Sequence, residues 1–345
     1  MRISGRAKTG EFQFDCGQGE RILYAGLHQG VPLPYECASG TCGTCRARLA
    51  SGEIKELWQE APGLKHVKPE RDEFLMCQAT AVSDCEVLVP AKIPLDEVQQ
   101  PRYKLIGELI GFSPCTRDVS TFSVRLPEPI QFHAGQFVVI HVPALGGYRA
   151  YSMTNFTDTT DKLEFVIKKM PGGGFSEWLF GADREGTQVN VFGPLGAATL
   201  TVDDDSDFLC IAGGSGIAGM MSILAFAEQR DVFERRSAQV FFGVRTLSDR
   251  FFLDELSRIA RKFPDSVRIT LALSDEEAAA GYADSEGLYY ESGFVHEVAG
   301  RHIPTNAADM ITFIAGPPPM VDGTIRMLLV KHRIPATQIR YDKFS

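Results

Sequence analysis

Cys37-Ala38-Ser39-Gly40-Thr41-Cys42-Gly43-Thr44-Cys45, completed further along by Cys77, decides the fold at the N-terminal end of this chain. The spacing C-x4-C-x2-C…C is that of four thiolates around a plant-type [2Fe–2S] cluster. Three sulfurs converging from one short loop force the backbone to turn back on itself. Gly40 and Gly43 supply the permissive dihedrals for that turn and let peptide N–H groups approach the sulfurs. Such a cluster implies one-electron transfer. Structural zinc is the second reading of four cysteines, although zinc sites usually pair their ligands in two short C-x2–4-C spacings. A disulfide framework is the third, and it suits a short secreted chain better than a long one with no N-terminal signal peptide. Cys16, Cys85, Cys115 and Cys210 read as structural, Cys210 within the apolar run Phe208-Leu209-Cys210-Ile211-Ala212.

With 345 residues the chain has room for two or three domains, each burying its own core. Its 44% apolar and 23% charged residues are those of an ordinary soluble protein. No apolar run is long enough to cross a bilayer, so no membrane partner is expected. A formal net charge of −9 argues against nucleic acid, whose phosphates would repel such a surface. Cytoplasmic residence is the default expectation.

Three patterns follow one another. Residues 1–92 carry the cluster loop between strand-like runs, around Phe12 and Phe14 at one end and Cys85–Val89 at the other, with a helix over Gly19–Gly30. Strands, one helix and a cluster loop fit a small β-grasp ferredoxin domain. Residues 93–101 read as a linker, with prolines at 94 and 101; the eleven residues from Ala91 to Pro101 reach at most about 35–40 Å, so the flanking domains stay close. Residues 102–202 hold alternating β-branched runs, such as 136–142, with frequent turn signals, which favours an antiparallel barrel. Residues 203–345 alternate strands (207–212, 239–244, 267–273, 310–315) with helices (217–229, 251–262, 293–299, 319–332). That order predicts a mostly parallel sheet with helices on its faces and ligands beyond the carboxyl ends of its strands.

The first strand of this last region runs into Gly213-Gly214-Ser215-Gly216-Ile217-Ala218-Gly219, a glycine turn opening a helix. Such a turn lets backbone approach a phosphate at a helix N-terminus. No acidic ribose partner stands out at the end of the second strand, so a standard Rossmann fingerprint is not complete. After the last predicted strand comes Gly316-Pro317-Pro318-Pro319-Met320, which reads either as a stiff connection or as the opposite wall of the same crevice. Arg149-Ala150-Tyr151-Ser152 offers a pyrophosphate-pairing guanidinium, a stacking ring and a hydroxyl, each with an ordinary structural reading beside it. Gly172-Gly173-Gly174-Phe175-Ser176 is a second glycine loop opening a helix.

Taken in this order, the four motifs resemble the iron–sulfur flavoprotein reductases of bacterial multicomponent oxygenases, in the ferredoxin–NAD(P)H reductase superfamily. The resemblance spans essentially the whole chain. It implies that Cys37, Cys42, Cys45 and Cys77 hold the cluster, that Arg149 contacts the FAD phosphate, and that Tyr151 packs on the isoalloxazine with Ser152 near its reactive nitrogen. It places Lys168, Gly173, Gly174 and Ser176 at the flavin and its phosphates. Gly213, Gly214, Ser215 and Gly216 would face the nicotinamide dinucleotide, with Gly316 and Pro317 opposite. Phe344 is similar to the terminal aromatic that covers the flavin in relatives. Many relatives carry a cysteine before the glycine-proline turn, where this chain has Ala315.

The implied route runs from NADH through FAD and the [2Fe–2S] cluster to an oxygenase component, in all expectation an aromatic-hydroxylating one, or to an intermediary ferredoxin. The loop Val244–Arg250 mixes both charge signs, which favours NADH over NADPH. Phe12, Leu33, Pro34 and Tyr35 read either as contributors to the docking face or as packing residues, and a monomer is the expected state. A stand-alone ferredoxin–NAD(P)+ reductase serving other soluble acceptors is the nearest alternative. A zinc-stabilised nucleotide sensor without turnover is the alternative from another class.

Overall fold

The computed structural model describes residues 1–97, 99–278, 284–304 and 306–343. Its N-terminal strands are β1 (Arg2–Ala7), β2 (Gly10–Asp15), β3 (Arg46–Ser51), β4 (Ile54–Glu56), β5 (Glu73–Leu75), β6 (Ala79–Ala81) and β7 (Cys85–Leu88). Five of them form a sheet in the order β2-β1-β7-β3-β5, and β4 pairs with β6. In β1 every second residue is buried, so Ile3 and Ala7 enter the core while Arg2 and Arg6 face water. Helix α1 (Ile22–His28) packs its first six residues into this core. It is shorter than the 19–30 expected, because Gly19 and Gly30 both take left-handed φ. Bonds from Gly30 N to Leu27 O (3.2 Å) and from Val31 N to Gly26 O (2.9 Å) end it as a Schellman motif.

The middle region forms β8 (Tyr103–Pro114), β9 (Val119–Ile130), β10 (Phe137–His141), β11 (Arg149–Ser152), β12 (Thr160–Lys168) and β13 (Gln188–Leu195), with helix α2 (Gly174–Gly181). These strands pair antiparallel in the order β11-β10-β13-β8-β9-β12. The sheet rolls far enough that Thr154 N, just past β11, donates to Glu164 O of β12 at 2.8 Å. That closure is the expected barrel.

The last region is parallel throughout, in the order β17-β16-β15-β14-β18-β19. The strands are β14 (Phe208–Gly213), β15 (Ala238–Val244), β16 (Val267–Leu273), β17 (Tyr289–Ser292), β18 (Ile311–Gly316) and β19 (Ile339–Lys343). Helices α3 (Ile217–Gln229), α4 (Leu253–Lys262), α5 (Val295–His302) and α6 (Pro318–Arg326) connect them. All six residues of β14 are buried, as a central strand covered on both faces requires. The four strands expected from the sequence are present. The edge strands β17 and β19 were not expected, because four half-buried residues in β17 leave no apolar run to read. Chain order reverses between β14 and β18, which opens a crevice at their carboxyl ends.

The first two regions are fastened together. Tyr24 of α1 stacks on Phe192 of β13 with ring centroids 4.5 Å apart and meets Tyr148 edge-on at 5.0 Å. Gly196 N donates to the Tyr35 hydroxyl at 3.2 Å, and Lys104 pairs with Glu20 at 2.7 Å. The expected linker is held at both ends: Thr9 Oγ1 donates to Ile93 O at 2.7 Å, and Gln136 Nε2 to Gln100 Oε1 at 2.9 Å. Leu33 is buried and Tyr35 is bonded to the barrel segment, which agrees with the packing reading of these two residues.

Candidate functional site

At one end of the molecule the loop Cys37–Cys45 wraps around its own sulfurs. Ala38, Gly40 and Gly43 take left-handed φ values of 52°, 98° and 84°. With that curl, Ser39 N and Thr41 N donate to Cys37 Sγ at 3.5 and 3.4 Å, and Thr44 N donates to Cys42 Sγ at 3.5 Å. Cys77 arrives on the short turn Met76–Gln78 between β5 and β6, where Met76 N donates to Cys45 O at 3.1 Å. Cys37, Cys45 and Cys77 are buried and Cys42 is half-buried.

The four thiols fall into two pairs. Cys45 and Cys77 sulfurs lie 3.2 Å apart, and the Cys42 thiol donates to Cys37. That bond, together with donors from Thr41 and Ser39, lowers the Cys37 thiol to about 4. Cys42 rises because it is the donor, and Cys77 rises through burial. Among the described residues no three His, Cys, Asp or Glu converge on a single-ion site. Four thiols on one curled loop and the turn at Cys77 are the donor set that a [2Fe–2S] cluster would take. Gln78 Nε2 and Thr41 Oγ1 are buried here without a partner, donors that a sulfur-rich group would satisfy. The residues fit the cluster.

The second site is a cleft of about 790 Å³ where the barrel meets the carboxyl ends of β14 and β18. It brings together Arg149, Tyr151, Ser152, Lys168, Gly173 and Ser176 with Gly213, Gly214, Ser215, Gly216, Gly316 and Pro317. Gly174 starts α2 and is not part of the lining, while Phe344 lies outside the described residues. Tyr151 stands in an aromatic cluster, perpendicular to Phe122 at 5.5 Å and 5.3 Å from Phe175; burial raises its hydroxyl above the usual range. Arg149 donates to Tyr148 O at 2.9 Å and lies 5.4 Å over the ring of Trp58. Lys168 pairs with Asp118 at 3.4 Å. Ser176 Oγ accepts from Met170 N (3.0 Å) and donates to Gly173 O (3.1 Å), which folds the turn before α2.

The two glycine turns of the parallel sheet touch. A Cβ on Gly216 would stand 2.5 Å from Ala315 O, and one on Gly213 would stand 3.3 Å from Pro317 Cδ. Only bare backbone fits there, and it leaves the first turn of α3 open to a phosphate. The volume and the glycine cradle fit a dinucleotide.

Several cleft residues were not anticipated. Ser39 of the cluster loop lines the cleft, so the two sites share a wall. Asp118 and Phe294 also line it, and neither carries a signal in the sequence. Asp342 of β19 is buried beside Gly196, where an added Cβ would be 3.7 Å from Asp342 Oδ1. Burial, and then the charge of Glu36, push this carboxyl up to about 7.

A four-thiol pocket sharing a wall with a glycine-lined nucleotide cleft defines an iron–sulfur flavin and nicotinamide oxidoreductase. Residues 6–82 match the 2Fe-2S iron-sulfur cluster binding domain, 108–200 the oxidoreductase FAD-binding domain, and 210–326 the oxidoreductase NAD-binding domain. The chain is 32% identical to the ferredoxin–NAD(P)(+) reductase CarAd of Metapseudomonas resinovorans, covering 100% of this chain and 99% of that protein. It is 34% identical to the ferredoxin–NAD(+) reductase component of the alkene monooxygenase system of Xanthobacter autotrophicus, over 96% and 97% of the two chains. The solved ferredoxin reductase in carbazole 1,9a-dioxygenase superposes with a TM-score of 0.86 at 30% identity, over 100% of this chain and 99% of that one. The chain belongs to the family of ferredoxin–NAD(P)+ reductase components of oxygenase systems.

Proposed function

We propose that this chain takes electrons from NADH and passes them through FAD in the cleft and a [2Fe–2S] cluster on Cys37, Cys42, Cys45 and Cys77. From there they go to an oxygenase component or an intermediary ferredoxin. The observation that carries this reading is Ser39: a residue between two cluster cysteines lines the same cleft as Tyr151 and Gly216. FAD exchanges electrons in pairs with a nicotinamide and singly with a one-electron partner, and the iron–sulfur cluster carries one at a time.

The residues of the chain bind, orient and exclude water. Arg149 pairs with the FAD pyrophosphate, and the turn Gly173–Ser176 receives its phosphates at the start of α2. Tyr151, backed by Phe122 and Phe175, presents a rigid face for a flat ring, and Ser152 offers a hydroxyl to a ring nitrogen. Gly213–Gly216 and Gly316–Pro317 hold the nicotinamide dinucleotide from two sides. Arg245, a cation lining the cleft on the loop after β15, is already paired with Asp249 at 3.3 Å and Asp118 at 3.7 Å. Arg250 is committed to Leu247 O at 2.6 Å and the Tyr290 hydroxyl at 2.9 Å. Both commitments support NADH over NADPH. In this reading electrons leave at Cys42, and its lower burial than Cys37, Cys45 and Cys77 supports that exit.

Anaerobic titration tests the reading. NADH is expected to bleach a yellow-brown protein holding about two irons per chain, and heat-released flavin is expected to run as FAD. In kcat/KM, NADH is expected to exceed NADPH by roughly tenfold or more. A colourless protein with bound zinc would overturn it.

A further inference from the structure

Arg21, immediately before α1, is only 7% exposed. None of the ion pairs among the described residues includes it. Its Nη1 donates to two neutral oxygens, Cys77 O and Gln78 Oε1, the latter at 2.8 Å. Two rings flank the guanidinium: Tyr148 at 4.7 Å, from the barrel region, and Tyr24 at 5.8 Å. Backbone pairing of Arg21 with Thr80 fixes where it starts. A buried cation is retained only where something balances it, and neutral oxygens and ring faces balance a full charge incompletely.

Gln78 completes the picture. It is 3% exposed, and its Oε1 is held by Arg21, so the amide can point its NH2 only the other way. That Nε2 has no partner, and a Cβ on Gly40 would stand 2.7 Å from it. A buried donor is thus set against the cluster loop at Gly40.

We propose that Gln78 donates an N–H bond to the iron–sulfur group held by the four cysteines, with Arg21 as the positioning residue and buried counter-charge. The inference rests on the cluster reading given above. A four-thiolate [2Fe–2S] group carries two negative charges when oxidised and three when reduced. A nearby cation and a fixed donor therefore both favour the reduced state. Because Tyr148 caps the guanidinium, the flavin-side module helps set the poise of the cluster-side one.

The test is a redox titration of the full chain followed by the electron paramagnetic resonance signal of the reduced cluster. Arg21→Gln keeps a donor for Cys77 O and removes the charge. It is expected to lower the reduction equilibrium about tenfold, which is about 59 mV for one electron. Arg21→Lys is expected to keep most of the wild-type value, Gln78→Leu to lose roughly threefold with altered g-values, and Tyr148→Leu to shift the same way by less. Wild-type midpoints in both Arg21→Gln and Gln78→Leu overturn the proposal. If Arg21→Gln does not retain the cluster, unchanged midpoints in Gln78→Leu and Tyr148→Leu overturn it instead. A wild-type chain with no iron–sulfur signal overturns the cluster reading itself, a distinguishable result.

Discussion

Around Cys37–Cys45 the backbone crowds its site: three N–H groups lie 3.4–3.5 Å from sulfur, and three of the four thiols are buried. The cleft beneath it does the reverse. It opens about 790 Å³ and is walled by glycines whose missing side chains leave room for an entering molecule. The first arrangement suits a group that is built in once and kept. The second suits ligands that arrive and leave, and its specificity comes from a few placed polar groups rather than from enclosure. A reductase of this kind needs both, because its donor must exchange at every turnover while its last internal carrier stays.

That contrast can be broken most severely at the closed end. Cys77→Ser is expected to abolish iron binding and electron delivery to a haem acceptor while NADH still reduces the flavin. Loss of both reactions would show that the two sites do not stand apart. At the open end, Gly216→Ala forces a Cβ to 2.5 Å from Ala315 O. The KM for NADH is expected to rise by about tenfold or more, roughly 1.4 kcal/mol, with the cluster spectrum unchanged.

Beside Gly196 and outside the cleft lining, Asp342 has its folded-state carboxyl pushed up to about 7. The folded chain therefore holds a proton that the unfolded chain releases at lower pH. Its contribution is complete below the unfolded value and is lost as pH rises through 7. Thermal midpoints are expected to fall between pH 5 and 8, by the equivalent of roughly 3 kcal/mol, and Asp342→Asn should flatten that slope. The smallest effect lies far from both sites. Glu228, held down to about 2 by Arg258 and Lys262, has the opposite sign, adding stability that disappears as pH falls from about 4.5 to 2. With Arg258 and Lys262 about half exposed, Glu228→Gln is expected to cost under about 1 kcal/mol at neutral pH, read by thermal unfolding.

The cysteine loop was legible because three of its cysteines sit within nine residues, and loop chemistry of that kind depends on local spacing. The helix start at 217, the start expected at 319 and found at 318, and the glycine turns before them were legible for the same reason. Other features were not. Tyr35 read in sequence either as a docking or as a packing residue, and its hydroxyl accepts from Gly196 N, a residue far along the chain. Asp118 enters the cleft only because β9 and β12 run side by side, which brings Val119 opposite Lys168. Cys115, read as structural, is exposed.

By itself the sequence determined the spacing of the four cysteines, the three modules in their order, and the glycine turns, since each follows from local backbone freedom and short-range periodicity. Only the tertiary structure decided that Ser39 lines the cleft, that Arg245 is already paired with two carboxylates, and that Arg21 sits buried against Tyr148. Those are facts about which distant surfaces are pressed together. They follow from burial of apolar faces shared between modules, and no local pattern in the chain encodes them.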